Sequence, residues 1–310
     1  MAWDASRRKD PDVMTSAALE VLLHGLVDYA GLFPPAALPM AEAVRSYDEY
    51  RRGAHAWMLG RFVVPVARLE EFARHAESQP GHGVPRRLSV LGGASDREAI
   101  ERFNDKFGEQ AVIDAIEGKA ATVDEVGQHA ALASLFTPQG EPFLVFVEVP
   151  IAQDAGALVS AIGANGLRAK VRTGGVTVGA YPDAVQLTRF LWSCAESDVA
   201  FKATAGLHHA LRGEYRLTYE PGSPQATMFG FLNVFLAACF LRAGLSEKRV
   251  IAVLEERDPK AFEFEPGGVL WDGHRLDAHS IDTLRERFAA SFGSCSFAEP
   301  VQDLVSMGLL

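Results

Sequence analysis

The sequence predicts an α/β chain folded as a (β/α)8 (TIM) barrel with a C-terminal appendage, and three observations carry that reading. Short β-rich runs recur along the chain, each followed by a stretch whose apolar residues return at three and four positions. Eight such runs begin at 25, 61, 87, 111, 143, 168, 199 and 228, so successive starts are 24 to 36 residues apart, which suits one βα unit each. The GxGxxG fingerprint of the main rival, an open doubly wound sheet binding a dinucleotide, is missing.

In order, the expected strands are GLVDYAG (25–31), RFVVPV (61–66), RLSVLGG (87–93), AVIDAIEG (111–118), FLVFVEV (143–149), RAKVRTG (168–174), VAFKATAG (199–206) and MFGFLNV (228–234). Amphipathic stretches such as ARLEEFARHAES, DREAIERFNDKFG and PDAVQLTRFLWSCAE separate them. The eighth strand competes with a second reading, in which MFGFLNVFLAACFLRAG is one buried helix. After Gly244 the pattern changes: LSEKRVIAVLEER is helical, FEFEPGGVLWDGHRL carries the Pro-Gly-Gly turn of a hairpin, and SIDTLRERFAASF is helical again. The expected organisation is therefore a barrel over 1–244 and a helix–hairpin–helix appendage over 245–310 packed on it. The first 20 residues read as a lead-in or an extra helix on the barrel floor.

Composition narrows the function classes. A net charge of -10 without a long basic run argues against nucleic acid as partner, because phosphate binding needs clustered Lys and Arg. The start, MAWDASRRKD, lacks the apolar core of a signal peptide, and the longest apolar run is too short for a membrane span and contains Asn233. The chain is read as cytoplasmic. Cys194, Cys239 and Cys295 stand far apart with no CxxC pair, so neither a disulfide framework nor a zinc knuckle is expected. GxxxxGK[ST], HExxH and GxSxG are missing too. A small molecule becomes the expected partner, with self-association left open.

In such barrels the active site lies where strands end and βα loops begin. The polar residues there are Asp28 and Tyr29 on the first strand, Asp114, Glu117 and Lys119 on the fourth, and Glu148 on the fifth. The sixth adds Lys170 and Arg172, and the seventh Lys202, Thr204, His208 and His209. Side chains two apart on a strand share a face, so Lys170 and Arg172 point together, as do Lys202 and Thr204. Both lysines are expected to face the barrel mouth. A buried ammonium is heavily penalised, so two of them on consecutive strands need anionic partners, solvent or a chemical purpose. Attack on a carbonyl is such a purpose: it requires the neutral amine, and a second cation nearby lowers a lysine pKa.

KVRTGG followed by VAFKATAGLHH resembles the paired segments of the deoxyribose-phosphate aldolases, class I aldolases with a TIM barrel. The resemblance spans roughly residues 110–215. It implies Lys170, with Thr173 and Gly174, as the Schiff-base lysine of a K-x-x-T-G strand end, and Lys202, with Gly206, as the activating lysine. It also implies Asp114 in VIDAI, or Glu148, as proton carrier. Ala205 stands where the second motif has its first glycine, His208 and His209 replace its phosphate-facing continuation, and Arg172 is added beside the nucleophile.

The expected activity is thus that of a lyase of the Schiff-base aldolase type, acting in small-molecule metabolism on a small anionic carbonyl compound and needing no cofactor. Lys170, Lys202, Asp114 and Glu148 are the catalytic candidates; Arg172, Thr173, Gly174, Gly175, Gly206, His208, Glu117 and Asp28 are the binding candidates. Three alternatives stay open at this point. Lys170 and Lys202 can be ion-paired to Glu148 and Glu117 in a structural or anion-binding network, the barrel then binding an anion without turnover. Glu117, Glu148 and a histidine can hold a metal for an enolase-type lyase or isomerase. The loop DYAGLFPPA (28–36) reaches a ligand, or else seals the barrel top or a subunit contact.

Overall fold

The computed structural model describes residues 16–77 and 83–310. It begins with helix α1 (Ala17–Leu23), capped by the Ser16 hydroxyl, and then enters strand β1 (Val27–Tyr29). Helix α2 (Met40–Tyr50), β2 (Leu59–Pro65), α3 (Leu69–Glu77), β3 (Arg86–Leu91) and α4 (Arg97–Phe107) follow. Next come β4 (Ala111–Lys119), α5 (Val123–Gln128), β5 (Leu144–Glu148), α6 (Gly156–Ala164), β6 (Arg168–Arg172), α7 (Ala184–Glu196) and β7 (Phe201–Thr204). These seven strands are the first seven expected ones, with ends moved by at most a few residues.

The expected eighth strand is corrected. Met228 ends the second strand of a hairpin, β8 (Gly213–Arg216) with β9 (Gln225–Met228), and Phe231–Arg242 forms helix α8. Every residue from Phe231 to Leu241 is buried, so no polar stripe exists to betray the helical period. After α9 (Glu247–Glu255) comes an antiparallel sheet of β10 (Glu263–Glu265), β11 (Gly268–Trp271) and β12 (His274–Asp277), then α10 (Ala278–Arg287). Strand β13 (Ala289–Ser294) follows and α11 (Ala298–Ser306) ends the fold.

The closed barrel has the order β1-β13-β7-β6-β5-β4-β3-β2, all pairings parallel. Strand β13 is its eighth stave. The expected boundary at 244 therefore falls inside the barrel: 245–310 is not an appendage, because Val27 to Tyr29 pair with Phe292 to Ser294 and Phe201 to Thr204 with Ala289 to Gly293. The Pro-Gly-Gly turn does join β10 to β11, but that sheet is an insertion before the last strand. Helix α1 packs on α10 and the β10–β11 hairpin; of the first 20 residues, read as a lead-in or extra helix, 1–15 lie outside the described residues.

The barrel interior is unusually polar. Seen from the strand starts, Arg61, Arg87 and Asp114 form a lower set, in which Asp114 receives Arg61 at 2.6 and 3.0 Å and Arg87 at 2.7 Å. Above it stand Asp28, Ser89, Glu117, Lys170, Lys202 and Ser291, all buried. The helix-facing side of the strands is apolar, and Tyr29, expected to reach a ligand, packs there with Tyr47, Tyr50 and Phe62. No helix among the described residues is long and apolar enough to cross a membrane.

Candidate active site

A break in β4 sets the site. The pairing with β3 passes from Leu88↔Ile113 to Ser89↔Ala115, leaving Asp114 as an extra residue, a β-bulge. The bulge resets the alternation, so Asp114 and Glu117, three positions apart, both face the interior at different depths. Asp114 goes to the two arginines of the lower set. Glu117 goes to the lysines.

Glu117 is the centre of a buried ladder. Its Oε1 accepts from Lys202 Nζ at 2.6 Å and from the Ser89 hydroxyl at 2.6 Å, and its Oε2 is 2.9 Å from Lys170 Nζ. Lys170 lies 2.9 Å from Glu148 Oε2 as well. Lys202 also donates to Asp28 Oδ2 at 2.5 Å, and Asp28 is fixed by the Ser291 hydroxyl at 2.8 Å and the Arg61 backbone N–H at 2.6 Å. The Phe146 ring lies 5.7 Å from Lys202 Nζ. The side chains of Lys170 and Lys202 are 3% and 1% exposed, so neither ammonium is hydrated by bulk water. Two ammonium groups face three carboxylates, and Glu148 has further cations in Arg172 at 3.5 Å and Lys119 at 3.6 Å.

These contacts decide the protonation states. Burial opposes the charge on Lys170, but Glu117 and Glu148 more than offset it and hold the amine above its ordinary range. Burial likewise opposes ionisation of Glu117, and the two lysines outweigh it, keeping its carboxyl far below the usual carboxylate range. Glu148 is lowered against burial by Lys170, and Asp114 against burial by Arg61. The expectation that Lys202 keeps Lys170 neutral is corrected accordingly. Glu117 stands between the two ammonium groups and screens each from the other.

Above the ladder opens a cavity of about 310 Å³ at the C-terminal ends of the strands. Lys170 and Glu117 reach it; Lys202, Asp28, Asp114 and Glu148 are not among its lining residues. Arg172, Gly175, Thr204, Gly206, His208 and His209 border it, as does Phe33 with Pro34 and Pro35 from the 28–36 loop. Thr173 does not: its hydroxyl donates to the Ala205 carbonyl at 2.6 Å and ties the ends of β6 and β7. Gly174 is a close-approach position, since a Cβ there would stand 2.5 Å from the Tyr181 ring and 2.8 Å from the Gly206 Cα. Ala205, in the place of a motif glycine, adopts a left-handed φ of 61°.

Sequence reasoning missed the far wall. Cys295 and Glu299 line it from the end of β13 and from α11, and Tyr219 from the stretch after β8. His208 Nδ1 donates to Glu299 at 3.2 Å and lies 3.8 Å from Cys295 Sγ, and the Tyr219 hydroxyl donates to Glu299 at 3.0 Å. Burial opposes the His208 charge, but its hydrogen bonds to Cys295 and Glu299 push it up to about 10. The signal was out of reach because 295–299 counted as appendage.

No family model and no curated protein matches the chain. Its chemistry is therefore read from these residues alone. Among the described residues, no group of three or more His, Cys, Asp or Glu side chains is arranged to hold a metal ion. Glu117 and Glu148, expected as ligands in the metal reading, are each engaged by ammonium groups, and His208 faces Glu299 instead.

Proposed function

We propose that the protein is a lyase in which Lys170 forms a Schiff base with a small carbonyl compound. The observation that supports this best is the position of Lys170: it is the buried lysine that borders the cavity, with two carboxylates 2.9 Å away. The amine rests as ammonium and must shed a proton before it attacks. Glu117 and Glu148 are the first bases that proton meets, on its way to water in the cavity. Attack of the neutral amine on the carbonyl carbon then gives a carbinolamine, and loss of water gives the iminium. The iminium accepts the electron pair of the Cα–Cβ bond as it breaks, leaving an enamine, while the β-hydroxyl gives its proton to a base and becomes the second carbonyl; the reverse steps make the bond. Lys202 and Asp28 lie beneath and hold Glu117 in place. The resemblance to the deoxyribose-phosphate aldolases agrees with this assignment of Lys170, but the proton-carrying place it gave to Asp114 passes to Glu117 and Glu148.

Incubation with small aldehydes and 2-oxo acids plus borohydride should add a mass to the wild-type protein and none to Lys170→Met. An equal adduct on Lys170→Met would end this reading. The complete ion pairing of both lysines favours a second one, a barrel that binds an anionic ligand without turnover. It would be borne out by thermal stabilisation with a carbonyl compound that leaves no adduct.

A further inference from the structure

The connection from β7 to α8, residues 205–230, folds over the barrel mouth and carries the β8–β9 hairpin. The region is tied down at three points. The Tyr215 ring stacks on His209 at 3.5 Å and its hydroxyl donates to the Leu211 carbonyl at 3.0 Å. Leu217, Ala226 and Met228 pack into a small apolar cluster with Tyr181, whose hydroxyl donates to the Gly175 carbonyl at 2.9 Å. Tyr219 is held by Glu299. Arg216 stands between Tyr215 and Leu217 and borders the cavity.

The cations on that cavity are otherwise matched. Lys170 has Glu117 and Glu148, Arg172 has Glu148, His208 has Glu299 and His209 has Asp303. Among the cations that line the cavity, Arg216 is the one whose side chain has no hydrogen bond, ion pair or ring contact, although its hairpin is fixed. Exposed at the end of a fixed strand and without an anion, its guanidinium offers the donor fork that a carboxylate or phosphate fits bidentately. The sequence had assigned this task to Arg172, which is already drawn toward Glu148.

We infer that Arg216 selects the substrate by holding the anionic end of a small carbonyl compound. That the carbonyl end meets Lys170 rests on the Schiff-base reading; the anion site does not. The cavity of about 310 Å³ lies at the small end of the roughly 300–1,000 Å³ of small-molecule pockets, a size that suits a short-chain compound.

The test compares succinate semialdehyde with butanal, two four-carbon aldehydes that differ in the carboxylate. Borohydride-trapping rates are measured on the wild type, Arg216→Gln and Arg216→Lys. The ratio of anionic to neutral trapping should fall at least tenfold in Arg216→Gln and recover in part in Arg216→Lys; an unchanged ratio overturns the inference. If the wild type traps neither aldehyde, the Schiff-base reading fails and calorimetric titration with succinate decides the anion site. Binding at least tenfold weaker in Arg216→Gln supports it; equal binding, or none by the wild type, overturns it.

Discussion

Glu117 shows how one backbone irregularity settles a site. Strict alternation from Asp114 puts Glu117 on the opposite face, and the proton-carrying role of Asp114 came only from the aldolase resemblance. The bulge brings both inside and gives the lysines to Glu117. Nothing in VIDAIEG announces a bulge, so the place of Asp114 below Glu117 was not legible, whereas Lys170, Lys202 and their ion pairing to Glu117 and Glu148 were, because ionisable residues in apolar strand runs stand out. The protonation state has a kinetic consequence. With Lys170 held above the ordinary lysine value, its neutral fraction grows with pH across the neutral and mildly alkaline range, approaching tenfold per unit. The rate of borohydride trapping at limiting carbonyl should climb accordingly between about pH 7 and 9.5. A rate already flat above pH 7 would mean a lysine with a depressed pKa. Ala205 offers a check on the backbone. At its positive φ, Ala205→Gly should raise stability by about 0.5–1 kcal/mol in urea unfolding, the gain from relieving the left-handed alanine exceeding the entropy lost by adding glycine. A loss of stability would show that the methyl group packs usefully there.

At the scale of elements, legibility followed composition. The first seven strands include runs such as RFVVPV and FLVFVEV, rich in Val and Phe and bounded by turns or helical stretches, as strands of a barrel covered by helices should be. Strand β13 reads AASFGS: small residues, no Val or Ile, and directly continuous with the helical period of SIDTLRERF. It is small because the interior there is already filled. Ser291 fits against Asp28, and Gly293 lies where a Cβ would come within 3.2 Å of Thr204. Helix α8 took the place of the eighth strand in the sequence reading because a helix buried on every side has no amphipathic signature. The difference is testable by truncation. A chain ending at Gly244 keeps all residues of the barrel as first expected but loses β13, exposing the backbone edges of β1 and β7. It should aggregate or remain unfolded by circular dichroism and gel filtration. A soluble, cooperatively unfolding 1–244 fragment would contradict the closure described.

The whole molecule is an acidic chain, net charge -10, that nonetheless buries Arg61, Lys170 and Lys202 inside its barrel. Inside, charge is layered: arginines with Asp114 below, the lysines with Asp28 and Glu117 at mid-height, and Arg172 with Glu148 toward the cavity. Buried ion pairs contribute little net stability against an apolar core, so a barrel that keeps this many keeps them for something other than folding. Removing one partner while leaving the rest buried costs about 3–5 kcal/mol, which makes the ladder rigid as well as polar. Rigidity at the floor and a positioned hairpin at the top leave Lys170 as the group that a carbonyl entering the cavity meets. The most direct measurement is peptide mass mapping of the borohydride-trapped wild-type protein. The account predicts the added mass on the peptide containing Lys170 and none on that containing Lys202; an adduct on Lys202 with Lys170 unmodified would contradict it.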